Sequence, residues 1–343
     1  MSRRRRIAAV VALGVLAPWA AECSWGGFAL RDYLIVVVFL GPMYGGAVIL
    51  IREAVRRAGR GWPSIALLGA AFGVFMAGLV DQSLFNPDYL DDTEYAGMIR
   101  DATLTQLPGL GLSVGDALNF VGNHIVLSVC LPIVVVESIV GPQGRREPWL
   151  GRWGLGAVGV LFVLGSLLIH SDATKGFAAA PHQIGVAVAS IVVLVGPAFV
   201  PRSLARRLAW SWPRPKAWSD PRTKPAPAAF WCAVVTLIAA ASSDLVPGWG
   251  GVAINVAVIL TATVVIVRWS QRPGWTQRHV LAAFSGPLVL AAAVAYVVPN
   301  YAPASPTQAL LGDVTITVVT VALLTAGFLR LRQGRNNEFQ PLN

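Results

Sequence analysis

The side chains with most chemistry to offer stand inside apolar stretches of this chain, where a polar group is costly unless it has a partner or a task. Asp116, Asn119 and Asn123 recur at i, i+3 and i+7, and Phe120, His124 and Ser128 follow at steps of four beside them. All six share one broad helical face, with His124 about 12 Å from Asp116 at 1.5 Å per residue. A second stripe, Asp313, Thr317 and Thr320, occupies another apolar run; Asn255 stands in a third, and Asp81 with Gln82 closes a fourth. Asp81, Asn119, Asn123, His124, Asn255, Asp313 and Thr317 are therefore the candidate site. Carboxylates and an imidazole at that depth suit a cation, a small polar solute or a bound metal. The competing reading is hydrogen bonding between helices, worth about 1 kcal/mol per contact. A zinc site from His124, His170 and His182 lacks any short ligand spacing, so no metal and no other cofactor is expected. Glu137 is expected to pair with Arg52 or Arg56 rather than to act as an acid.

These residues need long apolar elements to hold them. Of 343 residues, 55% are hydrophobic and only 13% charged, whereas charged residues make up about a quarter of a soluble globule. Mean hydropathy is +0.62. A bilayer core about 30 Å thick takes about 20 apolar residues per helix. Such runs fall at 7–25, 33–51, 62–80, 116–140, 153–170, 182–200, 228–243, 251–267, 279–298 and 309–328, the seventh being the shortest. The expected fold is all-α: a single polytopic bundle of about ten spans with both termini cytoplasmic. The basic start, Arg3 to Arg6 before an apolar run, also resembles a signal peptide. No small-x-small cleavage site follows, and Glu22 spoils a lipobox at Cys23, so a retained first span is expected.

Orientation follows from the basic residues. With the N-terminus inside, 24 of the 27 Lys and Arg fall in inner segments, leaving Arg31, Arg100 and Lys175 outside; the inner side carries +19 and the outer side −9. That is the positive-inside pattern. It also assigns the formal charge of +10 to a membrane rather than to nucleic acid, whose binders gather their basic residues on one solvated face. The two long connections are an acidic outer loop, 81–115, and a basic cytoplasmic loop, 201–227, expected to lie on anionic lipid. The acidic loop lacks the alternating Asp and central Gly of a calcium loop. Cys23, Cys130 and Cys232 are too scattered for a disulfide framework. Small residues recur every four at Gly41 and Gly45, and at Gly69, Gly73 and Ala77, which predicts tight packing of the second span on the third.

Leu79 to Pro87 (LVDQSLFNP), Gly59 to Pro63 (GRGWP) and Arg272 to Trp275 (RPGW) resemble a family of uncharacterised multi-pass membrane proteins frequent in actinobacteria. The resemblance covers most of the chain and implies a bacterial plasma-membrane protein with no assigned activity. Other members carry Glu-Glu-Gly where this chain has Met76-Ala77-Gly78, together with a membrane His corresponding to His124. That pairing is similar to the CAAX-type intramembrane proteases, which combine a Glu-Glu pair with Phe-x-x-x-His. Phe120 and His124 match the second motif; the first is absent, and neither Met76 nor Ala77 can act as a base. The protease pattern of His followed four residues later by Asn is not met either, since Thr174 and Val186 stand after His170 and His182. Three readings follow: a non-catalytic protein, accessory or descended from a protease-like fold; a transporter of a small polar solute or cation; and an intramembrane hydrolase. A protein partner is not legible.

Overall fold

Every backbone N–H and C=O inside a bilayer must be satisfied within its own segment or a closed barrel, so a chain with these apolar runs builds helices. The computed structural model describes residues 1–96, 103–174, 176–200, 224–243 and 245–338. The described residues are helical apart from connections and one antiparallel pair of two-residue strands, Gln106–Leu107 and Leu112–Ser113. The long helices are α1 (Arg3–Cys23), α2 (Leu30–Arg57), α3 (Trp62–Val80), α4 (Val114–Val140), α5 (Arg152–Ala173), α6 (Pro181–Phe199), α8 (Gly248–Ser270), α9 (Gln277–Val294) and α10 (Pro306–Gln333). Among the described residues these nine are long and apolar enough to cross a membrane. The expected seventh span is a shorter helix, α7 (Ala229–Ala240), of 12 residues. The first turns are set by ordinary start signals. Ser2 and Ser113 accept hydrogen bonds from Arg5 N and Asp116 N, and proline occupies the opening turns of α3 and α6, where its missing N–H costs nothing.

Cross-links between connections sort the bundle into two ends. At one end the amino group of Met1 lies 3.3 Å from Glu147, Arg56 meets Glu137, Arg60 donates to the carbonyl of Phe199, and Ala226 N donates to Pro273 O. At the other, Arg31 reaches Gln308, Tyr95 donates to Pro299 O, and Gln183 donates to Leu110 O. Gly248 sits beside Leu104 at this second end. Since Ala226 stands at the first end, α7 runs from one end to the other despite its length, and all ten elements alternate. Extended residues before α7 and turns after it supply the distance that 12 residues, about 18 Å of helix, do not.

The small-residue stripes are used, but against other partners than expected. A Cβ on Gly45 would stand 2.6 Å from Gly14 O and 2.8 Å from Gly14 Cα, so α2 crosses α1 backbone to backbone. On the next face Gly165 of α5 approaches Met43 N and Pro42 of α2. Gly69 and Gly73 of α3 lie against Ile125, Val129, Val121 and His124 of α4. The predicted tight pairing of the second and third spans is therefore replaced by two separate pairings. Spacing shows that a helix has a smooth face and leaves open which neighbour takes it. The core gathers Leu13, Met43, Val48, Ile65, Val129 and Ile133 in one group and Leu131, Val134, Leu281 and Leu288 in a second, whereas α5, α6 and α8 turn most of their apolar residues outward.

Three of the long helices end or bend in π-helical turns, at Trp19–Cys23, Met76–Val80 and His124–Cys130. Such turns are rare and concentrate at functional sites. Here they present Glu22, Asp81 and His124. The acidic loop 81–115 is described except for 97–102, and of the basic loop 201–227 only 224–227 lies within the described residues.

Candidate functional site

His124 opens the π turn of α4 and faces α3 and α2. Its Nδ1 shares a hydrogen bond of 3.0 Å with Ser128 Oγ, one turn along the same helix. Its ring lies 5.8 Å from the ring of Tyr44 and 5.7 Å from that of Phe72. Gly73 makes this approach possible, because a Cβ there would come within 3.1 Å of His124 Cβ. Tyr44, from the Gly-rich middle of α2, is 1% exposed and donates its hydroxyl to Glu22 Oε1 at 2.5 Å. A carboxyl, a phenol and an imidazole from three spans thus stand in series. Among the described residues Glu22 makes no ion pair, so its partner is a neutral hydroxyl able to pass a proton.

Asp81 follows α3 directly and lies within electrostatic range of both Glu22 and Tyr44. It is buried, accepting from Ser83 N at 2.9 Å and from the Tyr89 hydroxyl at 3.4 Å. Burial pushes its carboxyl up to about 6, against the opposing pull of the Ser83 and Tyr89 hydrogen bonds.

The remaining sequence candidates have other neighbours. Asn123, one residue before His124, is exposed, and Asn119 one turn away is half-buried. Asn255 donates to Ser242 Oγ at 2.9 Å, tying α8 to the turn after α7. Thr317 donates to Asp313 O and shares a hydrogen bond of 2.9 Å with the Tyr296 hydroxyl. Asp313 is buried on α10, where the neighbouring Gly312 carbonyl accepts from Tyr33. His124 and Asp81 come together with residues the periodicity did not single out, while Asn255 and Thr317 are held by partners elsewhere. His170 and His182 each bond a different backbone carbonyl, of Val80 and of Gly109.

Glu22 and Tyr44 are the residues that sequence reasoning missed. Glu22 lies at the extreme end of its apolar run, where an acid reads as the start of a loop. Tyr44 lies between Gly41 and Gly45, where an aromatic reads as packing.

At the opposite end the expected pairing of Glu137 is present and more extensive. Glu137 accepts from Arg56 Nε at 2.8 Å, from Arg56 Nη2 at 2.6 Å and from Arg52 Nε at 3.2 Å. Arg52 also donates to Glu53 at 2.8 Å and to Gly144 O at 2.9 Å, and its guanidinium carbon lies 3.5 Å from the centre of the Trp149 ring. Every donor has an acceptor, so this is a staple between α2, α4 and the segment leading to α5 rather than a place for a ligand.

Apolar helices alternating between two segregated ends, with ionisable groups turned into the bundle, define a multi-pass α-helical membrane protein. Residues 11–333 match an uncharacterized membrane protein family, and the chain belongs to that family. No curated protein and no solved structure matches it. The family match carries the membrane-protein part of the resemblance and is silent on proteases and on any bacterial phylum.

Proposed function

We propose that this chain is a non-catalytic membrane protein that takes a proton on and off the Glu22–Tyr44–His124 series, the chemistry of a proton-coupled or cation-coupled transporter. The observation that carries the reading is the 2.5 Å hydrogen bond from Tyr44 to Glu22 beside the His124 ring. An ionisable residue at membrane depth with a hydroxyl in place of a counter-charge stays free to exchange a proton, and such residues mark proton relays and solute paths. Hydrolysis is less well supported. Met76 and Ala77, where the protease resemblance requires its base, are buried side chains with no ionisable atom. Among the described residues no three His, Cys, Asp or Glu gather closely enough to hold a metal.

The test is proton uptake. With a pH-sensitive dye trapped in proteoliposomes and a potassium diffusion potential applied, the protein is expected to pass protons at a rate above that of empty vesicles. Glu22→Gln, whose amide cannot take up and release the proton, should bring that rate down to that of empty vesicles while leaving insertion intact. Equal rates in the two proteins, or none in either, would remove the transport reading. Cleavage of a transmembrane peptide that disappears in His124→Ala would favour the hydrolase instead.

We further propose that the end carrying Arg3 to Arg6, Arg56 and Arg60 is cytoplasmic, that it lies against anionic lipid, and that the membrane is a bacterial plasma membrane. The 24-to-3 division of basic residues supports this. Cysteine at Asp91 should then react with an impermeant maleimide in intact cells, and cysteine at Gln271 only after permeabilisation. The three native cysteines are buried and free, so background labelling is low. The reverse pattern would invert the topology.

A further inference from the structure

Asp81 lies at the end of the bundle where three connections meet. Two of them form a fixed rim. Tyr301 N donates to Gly27 O at 2.7 Å, and Asn300 donates to Gly26 O at 2.8 Å. Gly26 has φ +93°, and a Cβ there would stand 2.8 Å from Ala295 Cα, so the loop after α1 is pressed onto the end of α9. The third connection begins at Asp81 with a firmly seated foot. Leu84 N donates to Ala77 O, Phe85 N and Asn86 N both donate to Gln82 O, and Ala179 N donates to the Gln82 side chain. Leu84 and Phe85 are buried against Ala77 and Ala187.

Residues 88–96 differ. Asp88, Asp91, Asp92 and Glu94 are exposed, and among the described residues polar links tie the segment across to the rim and to Asp81: Tyr89 to Asp81, Glu94 N to Tyr301 O at 3.3 Å and Tyr95 to Pro299 O. The Tyr95 ring meets Trp25 and Tyr301 edge-on, at 5.9 and 5.1 Å. Tyr89 and Tyr95 are the only aromatic side chains of 88–96, and both point back to the bundle end. Hydrogen bonds of this sort contribute about 1 kcal/mol each and aromatic edges a similar amount, which is in the range of local opening rather than of unfolding.

We infer that residues 88–96 are a strap closed over Asp81, seated on the rim through Tyr95, and that its lifting admits water and protons to Asp81 and onward to Glu22. The inference rests on the proton-exchange reading for its purpose, though not for its test. Lifting breaks the Tyr89–Asp81 hydrogen bond and exposes the carboxylate in one movement. The strap's own acids, Asp88, Asp91, Asp92 and Glu94, then lie at the mouth of the path, where they raise the local concentration of cations.

Two measurements test the strap. In hydrogen–deuterium exchange on the unaltered protein in detergent, peptides covering 88–96 should exchange at least 100-fold faster than those covering Leu131 to Val135 of α4. Amidation of Asp81 by a water-soluble carbodiimide with glycine methyl ester, read by mass spectrometry, should be slow in the native protein. It should be about tenfold faster in Tyr95→Ala and intermediate in Tyr95→Phe, which loses only the bond to Pro299. Exchange of 88–96 as slow as that of α4, or Asp81 labelling unchanged in both Tyr95 variants, overturns the strap. Because labelling needs access alone, a strap that lifts in a protein without proton flux sinks the transport reading and keeps the strap. Flux with unchanged labelling sinks the strap alone.

Discussion

Replacing Arg52 by alanine is expected to destabilise the folded protein by about 3 to 5 kcal/mol, the range for removing one member of a buried ion network. Arg52, Glu53 and Glu137 are each 0% exposed. The guanidinium satisfies both carboxylates and also the carbonyls of Gly144 and Arg145. Arg56 and Arg57 continue to hold Glu137 and Glu53 in the variant, which places the loss toward the lower end of the range. The Arg145 carbonyl loses its bond from Arg52 and the face of Trp149 loses its cation, while Gly144 O keeps the bond from Trp149 Nε1 at 2.8 Å. Arg52→Lys should recover only part of the stability, since an ammonium cannot lie flat on Trp149 while reaching four acceptors. The free, buried cysteines Cys23, Cys130 and Cys232 provide the readout: a thiol-reactive dye follows their exposure during denaturation in mixed micelles. A loss below about 1 kcal/mol for Arg52→Ala would show that the staple is solvated and dispensable.

The staple also separates what was legible in the sequence from what was not. An acid near the end of one apolar run and arginines at the end of another predict a pair, because charges at that depth seek each other, and Glu137 with Arg52 and Arg56 is that pair. The spans were legible for the same reason: length, apolarity and arginine placement are properties of single segments. Properties of two segments were not. Asp81 and His124 stood out as polar groups in apolar runs, yet nothing in the spacing links either to Glu22 or Tyr44. That link is made by α1 and α2 crossing at Gly14 and Gly45, a contact between helices. Asn255 and Thr317 carried the same sequence signal as His124, and their partners turned out to be Ser242 and Tyr296. Polar residues in a span announce a hydrogen bond; only the packing says with whom. The seventh span was hard to read because 12 helical residues fall short of the usual length, and its crossing depends on the non-helical residues before it and the turns after it.

The two ends of the bundle therefore carry different kinds of polar structure. At one, five ionised side chains close on one another through bidentate arginine contacts, and every charge has an opposite within hydrogen-bond reach. At the other, Glu22 and Asp81 are answered by hydroxyls and backbone amides. A neutral partner leaves the protonation state of an acid open to its surroundings, whereas an arginine settles it. The first arrangement resists motion, and the second is where exchange with solvent can occur.

Gly45→Leu is expected to be the most damaging single change to the proton series without touching any of its members. A Cβ on Gly45 would lie 2.6 to 3.1 Å from the carbonyl oxygen, Cα and carbonyl carbon of Gly14. All three are backbone atoms, which cannot rotate away as a side chain would. The helices must separate, at a cost of about 3 kcal/mol, the upper part of the usual range for overpacking. Glu22 lies on α1 and Tyr44 is the residue before Gly45, so any separation acts directly on their 2.5 Å hydrogen bond. Gly41 supplies the control. It belongs to the same stripe, but a Cβ there meets nothing closer than Gly14 O at 4.0 Å, an ordinary contact. Gly41→Ala should be neutral or stabilising by about 0.5 to 1 kcal/mol through helix propensity, with proton flux unchanged. Gly45→Ala should already lower both stability and flux. If Gly45→Leu inserted, denatured at the native midpoint and conducted protons at the native rate, then neither the close crossing of α1 and α2 nor the Glu22–Tyr44 bond would have any part in the activity.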